Sequence, residues 1–98
     1  MTALSTAVSA LVAQQANVAV IADNVANWQT TGYTAKEAKL VSTEPAGVTV
    51  GAIVRAPVPD VDLAHEFVGL MLARTAYEAA LKVVSTSEQM DRDFLASV

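Results

Sequence analysis

Without a single cysteine, the chain has no disulfide to staple a small fold and no thiolate for redox or metal chemistry. That composition suits an oxidising compartment as well as a reducing one. Histidine occurs once, at His65, with Glu66 beside it and Asp62 one turn back. A metal site would need a second histidine or a cysteine to complete its ligands, so the three read as a solvated helix start. Basic residues are absent before Lys36, which leaves the amino terminus without the charged region of a cleavable secretory signal. Ser, Thr, Gln and Asn interrupt the apolar positions there, and on that ground no membrane span is expected. A glycine-rich phosphate loop and a nucleophile elbow are also missing, and Ser5, Ser9 and Ser42 have no catalytic context. The net charge of −4 argues against nucleic acid, which calls for a basic stripe.

What the chain does have is small apolar side chains, 19 alanines and 15 valines against two Phe, one Trp and two Tyr. Ninety-eight residues make one small domain. A compact aromatic core is not available to it, so stability must come from long helices packed closely against one another or against another copy.

From the amino terminus, Leu4, Val8, Leu11, Gln15, Val18, Ala22 and Val25 recur at alternating spacings of four and three, a heptad seam. Gln15 interrupts it, and a polar group in a seam can fix register. The simpler reading is an amphipathic core helix. Either way, a helix is expected over about residues 3–26. A junction over 27–33 follows. Asn27 suits the helix end, because Asn tolerates the left-handed conformation that closes many helices. Thr30-Thr31-Gly32 reads as a turn, with Gly32 supplying a backbone angle that other residues resist.

Ala35–Leu40 is rich in helix formers and could extend as a short helix. The β-branched alternation of Val48–Val54 beyond the turn cluster Thr43–Gly47 favours a strand needing a partner. A β-hairpin over about 34–56 is therefore expected, and it must pack on a helix because an isolated hairpin is marginal in water. Pro57 and Pro59 make a linker over 57–59. Asp60 or Asp62 then offers a helix N-cap. Leu63, Phe67, Leu70, Arg74, Tyr77, Leu81 and Val84 repeat the four-three spacing in a second helix over about 61–96, and the seam turns polar at Glu88 and Asp91. Met90, Phe94 and Val98 continue an adjacent stripe.

The expected fold is mainly α, with two long terminal helices packed as an antiparallel, coiled-coil-like pair around a small β-hairpin insert. The shorter helix cannot cover the longer one, so exposed apolar seam and self-association are expected. Arg74 and Glu78 can pair at i,i+4 on a solvated face; alternatively Arg74 reaches across to the Asn24/Asn27 turn. Trp28 either covers the helix end or anchors a neighbouring subunit.

Asn24-Val25-Ala26-Asn27-Trp28-Gln29-Thr30-Thr31-Gly32-Tyr33, preceded by Ser9-Ala10-Leu11 and Val20-Ile21-Ala22, resembles the amino-terminal signature of bacterial flagellar rod and hook proteins. At the other end, Val61-Asp62-Leu63-Ala64, Glu66-Phe67-Val68, Leu70-Met71, Ala73-Arg74, Ala76-Tyr77-Glu78-Ala79 and Ser87-Glu88-Gln89-Met90 resemble the closing pattern of the same axial family. The resemblance implies a non-enzymatic structural subunit without cofactor, exported uncleaved through the flagellum-specific type III apparatus. It implies a location in the periplasm-spanning rod of the basal body. Its partners would be copies of itself, other flagellar axial proteins and the export apparatus, with the terminal helices forming a coiled-coil lining. Asn24, Asn27, Trp28, Thr31, Gly32 and Tyr33 then become the assembly junction. Two departures stand out. Ala80 replaces a usual Asn, which would remove a polar bond near the helix junction, and the middle is unusually short. The alternatives are a self-associating cytoplasmic adaptor, a paralogue that no longer builds the axis, and an unrelated secreted helical hairpin such as a needle-type subunit.

Overall fold

A computed structural model describes residues 2–98. The elements run α1 (Ala3–Ala26), β1 (Lys36–Ser42), β2 (Val48–Arg55) and α2 (Leu63–Ser97). Thr2 starts α1 with a capping box: its hydroxyl accepts from the Ser5 amide at 3.1 Å, and the Ser5 hydroxyl returns the contact to the Thr2 amide at 3.1 Å. Asp62 is the N-cap of α2, its Oδ1 accepting from the amides of Ala64 and His65 at 3.0 and 3.3 Å.

The helices are antiparallel. The end of α1 meets the start of α2 through Asn24 and Glu66, while Ala3 and Ser87 line one groove at the opposite end. Ile21 faces Gly69, where an added Cβ would sit 3.4 Å from the Ile21 Cδ1. Carrying that register along the pair sets Asn17 across from Ala73 and Ala10 across from Ala80. The interior is thus built from small residues: Ala7, Ala13, Ala73 and Ala80 are buried, with Val20 and Ile21 the bulkier members. Small side chains bury little area each but bring the two backbones close, which increases dispersion contact along the whole length.

This interior is not the seam expected from the sequence. Leu4, Val8, Phe67, Leu70, Arg74 and Leu81 are exposed, and Leu11, Val18, Leu63, Tyr77 and Val84 are half-buried. The buried heptad of α2 is Glu66, Ala73, Ala80, with Ser87 half-buried at its end. It lies beside the four-three series of larger apolar residues. The intramolecular contact centres on the alanine face, and Leu4, Val8, Phe67, Leu70 and Leu81 are left exposed.

The β-hairpin packs on α1 through both strands. Pairing runs from Lys36 with Arg55 to Ser42 with Val48, with a bulge that leaves Gly51 as the extra residue. A Cβ on Gly51 would sit 3.0 Å from the Val41 side chain, so any larger residue at the bulge requires Val41 to shift. Ala38, Leu40, Val48 and Val50 turn inward, and beyond the bulge β2 is exposed. Ser9 fastens the far end of the hairpin by accepting from the Val48 amide at 3.1 Å. The strand over Lys36–Ser42 settles the helix-or-strand ambiguity of that stretch. Burial against α1 and pairing with β2 outweigh a weak helix propensity.

The molecule is a rod, 63 × 24 × 14 Å. Because α2 is the longer helix, its last turns run past the start of α1 and leave Met90, Phe94 and Leu95 exposed. With a mean hydropathy of 1.4, α1 is long and apolar enough to cross a membrane by length and composition. Its interrupting polar residues are all uncharged before Asp23, so they lower the mean hydropathy only modestly.

Candidate functional site

The junction between α1 and the hairpin is held by Asn24, whose side chain is fully buried at 0% exposure. A buried amide is costly unless each of its groups is bonded, and every one here is. Its Nδ2 donates to the Lys36 carbonyl at 2.7 Å and to Glu66 Oε1 at 3.0 Å. Its Oδ1 accepts from the Lys36 amide at 2.8 Å and from the Tyr33 hydroxyl at 2.9 Å. One side chain therefore copies a strand-like backbone pairing to the first residue of β1 and also bridges to α2. Among the described residues no buried side-chain polar atom lacks a partner.

Around it lies a second layer of polar contacts. Asp23 forms an ion pair with Lys36, and its Oδ2 accepts from the Tyr33 hydroxyl at 3.3 Å. The hydrogen bond from Lys36 holds the Asp23 carboxyl below its ordinary 3.8. Desolvation raises Tyr33 above its ordinary 10.0, and the neighbouring Asp23 charge adds to the effect. Arg55 lies over the Tyr33 ring, 5.5 Å from its centroid, and donates to the Thr34 carbonyl at 2.9 Å. Charge, ring and backbone lock the base of the hairpin.

Asn27 ends α1 as expected, though not in the left-handed conformation: its φ is −107°. Its Nδ2 bonds the Asp23 carbonyl at 2.9 Å and the Asp23 carboxylate at 3.1 Å, while its Oδ1 accepts from the Thr30 hydroxyl at 3.1 Å. This side-chain capping removes the need for the left-handed turn. The left-handed position falls instead at Gly32, with φ 78°. Thr31 is exposed, and Trp28 is half exposed, at 49%.

Of the six junction residues, the structure joins Asn24, Asn27 and Tyr33 in one network, with Gly32 shaping the turn. Trp28 and Thr31 stand outside it. Asp23, Lys36 and Glu66 are members that the sequence did not place there. Glu66 in particular is no solvated helix start, being only 6% exposed. Its signal was present in retrospect: a carboxylate one turn into α2, and an Asn three residues before a helix end, each lacking a local partner. Arg74 does not reach this network; it pairs with Glu78 at 2.9 Å on the outer face. Ala80 sits in the helix interface about 21 Å along α2 from Glu66 at 1.5 Å per residue, so its place is mid-bundle and not near the junction.

No metal-binding cluster occurs among the described residues. Fold and junction together define a class: an antiparallel helix pair, closed on alanine, with a hairpin clamped to its side and large apolar residues turned outward. The Flagella basal body rod protein family matches residues 4–34, and the Flagellar basal body rod FlgEFG protein C-terminal family matches residues 58–97. The two matches lie in chain order on the two helices, and together they cover more than two thirds of the sequence. The chain belongs to the flagellar basal body rod protein family. No curated protein matches it.

Proposed function

We propose that this chain is a non-enzymatic rod subunit that assembles through coiled-coil contacts of its terminal helices with copies of itself and with other axial proteins. Family membership gives the coarser statement, a structural protein of the flagellar basal body. The observation that carries the finer one is the outward apolar face. Leu4, Val8 and Val12 on α1, with Phe67, Leu70, Met71 and Leu81 on α2, stay exposed although the chain closes its own interior with alanines. Exposed apolar residues spread along both helices in this way offer surface for interaction. Contacts between unlike patches propagate into a helical array, as a rod requires.

In this reading the junction of Asn24, Asn27, Trp28, Thr31, Gly32 and Tyr33 fixes the angle at which the hairpin leaves the helical layer. Trp28, half exposed beside it, is available as an intersubunit anchor. Export proceeds through the flagellar apparatus without a cleaved signal and without membrane insertion; the apolar length of α1 serves packing. The test is deletion in a motile cell with complementation. Loss of motility and truncated basal bodies, restored by the wild-type chain and not by Leu70→Asp, are expected. Unchanged motility with intact basal bodies contradicts the reading and favours an adaptor or a paralogue outside the axis.

A further inference from the structure

Beside the junction, the base of the hairpin and the start of α2 enclose an open cleft of about 460 Å³. Three of its charged side chains are committed elsewhere. Lys36 is paired with Asp23, Arg55 with Thr34, and Asp62 with the amides that open α2. Glu66 is different. Its Oε1 accepts from Asn24, while its Oε2 has no partner among the described residues. Yet no fully buried side-chain oxygen is left unbonded, so Oε2 keeps contact with solvent, and the residue lines the cleft. A cleft-lining carboxylate that is only 6% exposed and has one oxygen without a protein partner is a receptor for a donor that carries positive charge. Asp60 lies on the same wall, and Val54, Pro57 and Val58 supply an aliphatic surface. That combination fits a long apolar stem with a cationic tip.

The chain also carries the complement. Five of its six basic side chains bond a polar group within the chain: Lys36 to Asp23, Lys39 to Glu37, Arg55 to Thr34, Arg74 to Glu78 and Arg92 to Gln89. Lys82 is the exception among the described residues, and it is exposed on α2. It cannot reach Glu66 of its own chain, since the two stand about 24 Å apart along one straight helix.

We propose that this cleft is a subunit-docking socket, in which Glu66, backed by Asp60, receives Lys82 of a second copy. The proposal rests on the assembly reading above and adds the residue pair that sets its register. Because donor and socket are different patches, the contact is heterologous and repeats. For neighbours lying parallel it fixes an axial stagger of about 24 Å. A partly buried pair of this type tightens association and makes it sensitive to salt.

The test is association of the purified full chain by sedimentation velocity at several salt concentrations, with carbodiimide cross-linking mapped by peptide mass. The reagent activates a carboxylate, and Lys82 Nζ displaces it to form an amide. The expected results are an intermolecular Lys82 link to Glu66 or Asp60, association weakened by roughly fivefold or more in Lys82→Met, and a flatter salt dependence in that variant. Lys82 is outside the helix interface, so its substitution leaves folding intact. Glu66→Gln keeps an acceptor for Asn24 while turning the open oxygen into a donor; it should reproduce the loss, with folding checked by circular dichroism. If Leu70→Asp abolishes association while Lys82→Met leaves it unchanged, the assembly reading stands and the socket is overturned. A wild-type chain that stays monomeric, or a Lys82 that links only to another axial protein, also overturns a second copy as the occupant.

Discussion

Asn24 commits four hydrogen bonds to three separate segments, and neither an apolar nor a charged residue can replace it. Asn24→Ala removes all four and strands the buried Glu66 carboxylate and the Lys36 backbone; a loss of about 2–4 kcal/mol in urea unfolding is expected. Asn24→Asp should cost more, because it exchanges two donated bonds for a carboxylate beside Glu66. The ionisable neighbours set opposite pH limits. Asp23 is depressed below 3.8, so its contribution is present above that value and is lost as pH falls through the lower folded pKa. Tyr33 is raised above 10.0, so its contribution is complete below that value and is lost as pH rises through the folded pKa. Lys36→Met should therefore flatten the acid side of the stability profile, and Tyr33→Phe the alkaline side. At this scale the sequence was half legible. Asn24 and Tyr33 stood out by type and spacing, but their partners Lys36 and Glu66 are set by tertiary approach, which no local pattern encodes.

Among the elements, the helices were legible and their contact face was not. Periodicity marks both helices to within a residue or two, because four-three spacing is a local property. Choosing the buried face means choosing between adjacent stripes, and larger side chains draw the eye to Leu4, Val8, Phe67 and Leu70. The chain closes on alanine because close helix approach rewards small volume. Ala73→Leu should consequently cost about 1–3 kcal/mol by overpacking, whereas Leu70→Ala should leave the isolated chain's stability within about 1 kcal/mol. Gly69→Ala is the opposite test. Its new methyl would touch only the tip of Ile21, and helix propensity favours alanine by about 1 kcal/mol, so thermal unfolding should shift upward. The hairpin was read from Val48–Val54 and its turn cluster, but the bulge at Gly51 was not, since a glycine among β-branched residues has several explanations until the facing Val41 is known.

For the molecule as a whole, the outward apolar residues and the alanine interior form one design. A chain that spends its small side chains on itself leaves its large ones for others, and a rod of 63 Å with a projecting α2 end offers them along its full length. Membership of the basal body rod family gives that surface a setting, and the socket at Glu66 gives it a register. The most direct measurement is quantitative mass spectrometry of hook–basal bodies purified from wild-type cells, paired with immunolabelling of an epitope-tagged, complementing chain. The protein is expected to co-purify in multiple copies per particle, with label along the rod. Complete, functional basal bodies that contain none of it would contradict its role as a rod subunit.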